Sequence, residues 1–287
     1  MELVTAAHSV QTRNNYNRVW EQYCNFCKTV DLNSSLPINP DNLLRFIAFQ
    51  FQRGYASSSI QAAVSALNSF HKLYNFPEPT NEAVRRAILG FKNLRPPSQG
   101  SLPIPIEMLE DLLAQSNFVF PDSFTNCLFK AMTSLAYFAL LRVGEFTFSQ
   151  HNLKKEDVSL FQQSISVNFR SFKHSKGRSI CQTVSARNTR SVCPVHNLRA
   201  YLILRGDKPG FLFIKENRRA PSRAEYLIWL QTVMIFCGYD ITGYNTHSLR
   251  AGMATHMALQ GSSGEQIKLA GRWASDAYKR YIRVNKV

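Results

Sequence analysis

Four prolines fall within ten residues, from Pro96 to Pro105, in the stretch Arg95-Pro-Pro-Ser-Gln-Gly-Ser-Leu-Pro-Ile-Pro105. Proline fixes φ and has no backbone N–H, so no helix runs through such a segment, and its glycine and serines add conformational freedom. The chain of 287 residues therefore reads as two domains, residues 1–95 and 106–287, joined by a Pro-rich linker over 96–105. Two domains on such a strap could close around a ligand.

The first domain carries one kind of pattern. Tyr16, Val19, Trp20, Tyr23, Cys24 and Cys27 recur at spacings of three and four, as do Leu43, Phe46, Ile47 and Phe51, and again Ile60, Ala63, Val64, Leu67, Phe70 and Tyr74. That period marks amphipathic helices, and a fourth, shorter one is expected over about Asn81 to Leu94. Asn39-Pro40 supplies an N-cap and a first helical residue. The second domain is mixed. Residues 106–116 and 124–148 are helical by pattern, with a break expected near Gly144. Ile165, Val167 and Phe169 alternate with polar residues, Lys173-His-Ser-Lys-Gly177 offers turn chemistry, and Ile180, Gln182 and Val184 resume the alternation, which predicts a β-hairpin with a basic tip. Helices return after Pro194. The fold class expected is mainly α with a small antiparallel β-sheet.

Hydrophobic residues make up 45%, too many for a disordered chain, and no apolar run is long enough to span a bilayer. The N-terminal residues lack the basic and apolar regions of a signal peptide, so secretion is not expected. Six scattered cysteines suit a reducing compartment. Cys24-Asn-Phe-Cys27 has metal-ligand spacing without a second pair at zinc-finger distance, so both read as helix-face residues and no metal or cofactor is expected.

The formal net charge is +15, and residues 170–219 hold 12 Lys and Arg against 2 acids. A folded chain with such clustering suits a polyanion, because Lys and Arg displace counterions from a phosphate backbone.

The C-terminal segment bears the sharpest chemistry. His247 and Arg250 in Thr-His-Ser-Leu-Arg share one face of a helix start. Gly271-Arg272-Trp273 follows a short helix, and Ala277-Tyr-Lys-Arg-Tyr281-Ile-Arg comes next. Upstream, Leu140-Leu-Arg142 puts a guanidinium at the end of an apolar stretch, where it needs a partner; Glu145 at i,i+3 is the bland one.

These residues, in this order, resemble the tyrosine recombinases, or phage-integrase-type enzymes. The family's pattern is an Arg in a helix, a Lys on a hairpin, a His-x-x-Arg, a His or Trp after glycine, and a Tyr about nine residues on. Here it appears as Arg142, Lys173, His247 with Arg250, Trp273 and Tyr281. The wording Thr-His-Ser-Leu-Arg-Ala-Gly and Gly-Arg-Trp-Ala-Ser-Asp-Ala-Tyr-Lys-Arg-Tyr-Ile-Arg is most similar to recombinases of eukaryotic mobile elements, the DIRS and Crypton types. The resemblance covers nearly the whole chain. It implies an N-terminal helical core-binding (SAM-like) domain, a catalytic domain of the integrase type and a clamp on double-stranded DNA. It also implies strand cleavage and rejoining through a 3′-phosphotyrosyl link, with neither metal nor ATP.

On that resemblance Arg142 and Arg250 bind the phosphoryl oxygens in bidentate fashion. Tyr281 is the nucleophile, with Tyr278 as its rival. Lys173 protonates the leaving 5′-oxygen, with Lys176 as the alternative and Arg178 beside it. His247 assists proton transfer or holds the phosphate. Trp273 stands where many relatives have histidine; its indole donates but cannot shuttle protons, and core packing is its plain reading. Lys176, Arg178, Arg187, Arg190 and Arg199 are the expected DNA-backbone contacts. A homo-oligomer on DNA, dimer or tetramer, is implied, although only six residues follow Tyr281 where many relatives continue into a helix that docks on a neighbour. Assembly by another route, or a truncated or degraded enzyme, follows from that departure. A eukaryotic source would place the chain in the nucleus, any other in the cytoplasm. Three alternatives stay open: an inactive, domesticated DNA binder, a type IB topoisomerase-like enzyme that relaxes plasmids without a specific site, and a basic module that docks on RNA or an acidic protein.

Overall fold

The computed structural model describes residues 7–96, 100–170, 177 and 179–282. The chain separates into two compact units, residues 1–98 and 99–287.

The first unit is all helical: α1 (Val10–Thr29), α2 (Pro40–Gln52), α3 (Ser57–Leu73) and α4 (Glu82–Leu94). Side-chain oxygens at Ser9, Asn39 and Asn81 take up first-turn N–H groups of α1, α2 and α4, which satisfies donors that a helix start leaves open. Val19, Tyr23, Phe26, Leu43, Phe46, Ile47, Ile60, Val64 and Leu67 form the core, with Val84 and Phe91 from α4. Each such side chain contributes about 1.5–3 kcal/mol on burial. Cys27 lies in this core and Cys24 is half-buried on the same helix. Fully buried His71 ties two loops together: Nε2 accepts from Ile38 N–H at 3.0 Å and Nδ1 donates to Pro77 O at 2.5 Å.

The second unit begins with α5 (Ile106–Val119) and α6 (Ser123–Phe138), then the four-residue α7 (Val143–Phe146) and a 3-10 turn over Lys155–Asp157. Strands β1 (Val158–Leu160), β2 (Ser164–Phe169) and β3 (Ile180–Ser185) form an antiparallel sheet in that order, with Leu160 opposite Ile165 and Phe169 opposite Ile180. Helices α8 (Pro194–Arg205), α9 (Arg223–Phe236), α10 (Ser248–Leu259) and α11 (Gly264–Ala270) follow, with a last 3-10 turn over Asp276–Arg280. From Leu128 to its end, helix α6 is buried at every position save Lys130, and α5, α8 and α10 pack against it. Ile165, Val167 and Phe169 point one way from β2 into this core, as period-two alternation requires. Gly252 lets α10 lie directly on its neighbours, since a Cβ there would run into the Ile104 carbonyl oxygen.

Two expectations change. The helix that starts near residue 124 stops at Phe138, not near Gly144, because buried Leu140 takes the left-handed conformation at φ 45°. Leu140 N–H then bonds to Tyr137 O and Leu141 N–H to Ala136 O, which closes the helix end. Gly144 instead sits inside α7. The charge of residues 170–219 is also not all free: Arg205 is 1% exposed and donates to the carbonyls of Gly206, Lys208, Phe211 and Leu212, Lys215 pairs with Glu225, and Arg170 with Asp157. Among the described residues no helix is long and apolar enough to cross a membrane.

Candidate active site

The second unit brings Arg142, His247, Arg250, Trp273 and Tyr281 together around the C-terminal ends of two helices. Arg142 follows the left-handed stop of α6. Helix α11 ends in the same manner: after Gly271, Arg272 has φ 55°, its N–H bonds to Leu269 O, and Trp273 N–H bonds to Lys268 O. Glycine is the usual residue at such a stop; a side chain there costs roughly 1–2 kcal/mol. The chain accepts that strain twice at one site, at Leu140 and Arg272.

The carbonyls exposed by these two stops are acceptors for arginine. Arg250, 1% exposed, donates Nη1 to Leu140 O and Nη2 to Gly271 O. Arg142 donates Nη2 to Arg272 O at 2.9 Å. Arg272 donates to Ala139 O at 3.1 Å and Leu140 O at 3.3 Å. A helix C-terminus carries about half a negative charge, so two of them favour cations here. The full counter-charge is Glu145, buried on α7, which accepts from Arg142 Nη1 at 3.2 Å and Arg272 Nη2 at 2.7 Å, and from Arg142 N–H at 2.8 Å. Two guanidiniums bond to this one carboxylate and a third, that of Arg250, feels its charge, a formal excess of two positive charges.

That excess leaves marks. Burial, then the neighbouring Arg142 and Arg272, push Arg250 down to about 9, so it is still protonated at neutral pH. Arg250 Nε and Arg272 Nε are buried without a hydrogen-bond acceptor. Buried donors are nearly always satisfied, and a positive cluster with spare N–H groups is suited to an anion.

The aromatic groups stack above this cluster. Arg250 Cζ lies 3.9 Å from the Trp273 ring centre and 5.6 Å from that of Tyr281, and the two rings are 5.3 Å apart. Gly271 makes room for Trp273, since a Cβ at 271 would run into the indole. Tyr281 caps the last 3-10 turn, and the Tyr278 ring is 6.3 Å from that of Trp273. Tyr278 turns its hydroxyl to Gly264 at the start of α11. His247 precedes α10 without a side-chain capping bond, and its ring is 6.5 Å from that of Tyr281. Burial, with Arg223 and Arg250 nearby, pushes the imidazole below its ordinary value.

Lys173, Lys176 and Arg178 lie outside the described residues. Arg187, Arg190 and Arg199 are exposed. Arg187 stacks on Phe138 at 4.5 Å, Arg190 Nε donates to His196 Nε2 at 3.1 Å, and Arg199 donates to Phe161 O at 2.9 Å. Sequence reasoning missed Arg272, quoted in a motif without a role, and gave Glu145 only the role of a surface partner. The signal for both was present: an arginine beside the glycine that ends a helix, and an acid one turn from an apolar-flanked arginine.

The family described as phage integrase, N-terminal SAM-like domain, matches residues 3–74. Tyrosine recombinase XerA of Thermococcus kodakarensis is 29% identical over 235 residues, 78% of this chain and 70% of that protein. The XerA of Thermococcus onnurineus is 27% identical over 226 residues, 76% and 67% of the two chains. Among solved structures, the XerH site-specific recombinase bound to its palindromic difH substrate, post-cleavage, superposes with TM-score 0.69 at 17% identity, over 93% of this chain and 75% of that one. A lambda integrase dimer bound to a COC′ core site gives 0.68 at 14%, over 99% and 74%. These last two are likenesses of fold.

Proposed function

We propose that this chain, a tyrosine recombinase of the phage-integrase type, cuts and rejoins duplex DNA at a specific site with Tyr281 as nucleophile. The observation that carries this reading is the stacking of Tyr281 and Trp273 over buried, under-satisfied Arg250. A phosphodiester seated on Arg250 and Arg142 would supply the acceptor that Arg250 Nε lacks, and its phosphorus would then lie within reach of the phenol.

In the step proposed, Tyr281 Oη attacks phosphorus, the bond to the 5′-oxygen breaks, and the leaving oxygen takes a proton from Lys173. His247, neutral at pH 7 because its pKa is lowered, accepts the phenolic proton. The two guanidiniums neutralise charge that builds on the equatorial oxygens. Bond energy is kept in the phosphotyrosyl link, so a 5′-hydroxyl from another strand reverses the step and seals the new junction. Arg187, Arg190 and Arg199 would contact the backbone and position the duplex without specifying it.

The finer reading is that the substrate is the end of a eukaryotic mobile element, joined in the nucleus by two or four protomers on DNA. It is supported by the wording from Gly271 to Arg283, and repeats in the genomic DNA beside the gene would test it. The nucleophile is tested with a nicked suicide duplex. Wild type should form a covalent adduct, Tyr278→Phe should retain it, and Tyr281→Phe should abolish it. An adduct in Tyr281→Phe would sink the assignment.

A further inference from the structure

We infer that Arg272 is a positioning residue, a third guanidinium that holds Arg142 and Arg250 in the attitude needed to grip a phosphate. The inference rests on the proposed reaction. The Arg272 guanidinium lies against Phe169 and Gln182 of the sheet, whereas Arg250 lies against Trp273 and Tyr281, so Arg272 acts through the groups it touches.

Those groups are the ones that fix the other two arginines. Arg272 holds Glu145 Oε2, and the same carboxylate holds Arg142 through its other oxygen. Arg272 donates to Leu140 O, which is also an acceptor for Arg250. Its own carbonyl accepts from Arg142, and the carbonyl just before it, Gly271 O, accepts from Arg250. Without Arg272, Glu145 would be free to swing fully onto Arg142 and neutralise the cation meant for the substrate.

The same guanidinium ties the sheet to the site. It stacks on Phe169 of β2 at 3.7 Å and donates to Gln182 of β3. These two strands are adjacent partners in the ladder, so one side chain connects the sheet, the ends of α6 and α11, and Glu145. Lysine would supply the charge and not the planar fork that serves four acceptors and an aromatic face together.

Arg272→Lys, Gln182→Ala and wild type are compared on a nicked duplex that the wild-type chain selects from a randomised pool. Single-turnover adduct formation, duplex affinity and thermal melting are measured for each. Arg272→Lys should lose about 100-fold in adduct rate at saturating DNA, the penalty for misplacing reacting groups by about 1 Å, with affinity nearly unchanged. Gln182→Ala should lose less, again in rate and not affinity, and it carries the test if Arg272→Lys does not fold. Wild-type rates in both variants, or affinity and rate lost in equal proportion, would overturn the inference. Orthovanadate gives a readout free of cleavage: it should raise the melting temperature of wild type and not of Arg272→Lys, and equal gains in both would overturn the inference. Failure of wild type to form an adduct counts against the reaction, whereas the vanadate result still judges Arg272.

Discussion

Replacing Glu145 by glutamine removes the full negative charge from the arginine cluster and keeps the side chain's shape. The carboxylate is 2% exposed and lies 2.7 Å from one guanidinium and 3.2 Å from another. At an effective dielectric of about 20, the contacts are worth about 6 and about 5 kcal/mol before desolvation. Measured losses on removing one partner of a buried pair are about 3–5 kcal/mol. Glutamine still accepts one hydrogen bond, so the lower end applies, about 3 kcal/mol. In a domain of this size each kcal/mol moves the melting temperature by about 2–4 °C, which gives a fall of about 6–12 °C. The formal excess rises from two positive charges to three, so an added oxyanion has more to neutralise, and sulfate should restore a larger share of stability to Glu145→Gln than to wild type. Differential scanning calorimetry with and without sulfate reads both effects. A shift under about 2 °C, or a loss indifferent to sulfate, would show that the two helix ends and not Glu145 balance the arginines.

His247 has a lowered pKa, so the unfolded chain binds the proton more readily, and stability present above about pH 6.5 is lost as pH falls. His247→Gln should therefore lose less stability than wild type between about pH 7 and 5 in urea titrations; parallel curves would contradict the burial argument. Gly271→Ala drives a methyl into the Trp273 ring, and overpacking of this sort should cost about 1–3 kcal/mol in urea unfolding and displace the platform under Arg250. Neutralising Arg187, Arg190 and Arg199 together should flatten the salt dependence of DNA binding by up to about 2.7 in log–log slope, at about 0.9 per phosphate contact. An unchanged slope would place the DNA on another face.

The helices and the hairpin strands were legible because their apolar residues recur at 3.6 and 2, and tertiary burial follows the same stripes. Strand β1 was not, since three residues are too few for alternation to register. The stop of α6 was misread because glycine is the expected occupant of the left-handed position, and here Leu140 holds it, as Arg272 does after α11. The gathering of Arg142, Arg250, Trp273 and Tyr281 could be anticipated from order along the chain. The part played by Arg272 could not, because half of its acceptors are main-chain carbonyls, and every residue has one. For the same reason Arg205 was counted as surface charge, although its loop encloses it.

That choice of acceptors also sets how the site can decay or be redesigned. No substitution deletes the carbonyl of residue 139, 140, 271 or 272, so drift in the neighbouring side chains leaves the arginine cradle in place as long as both helices stop where they do. The vulnerable information lies in the stops themselves. A one-residue lengthening of α6 or α11 would rotate every acceptor by about 100° about the helix axis, and the cradle would be lost with Arg142, Arg250 and Arg272 still present in the sequence.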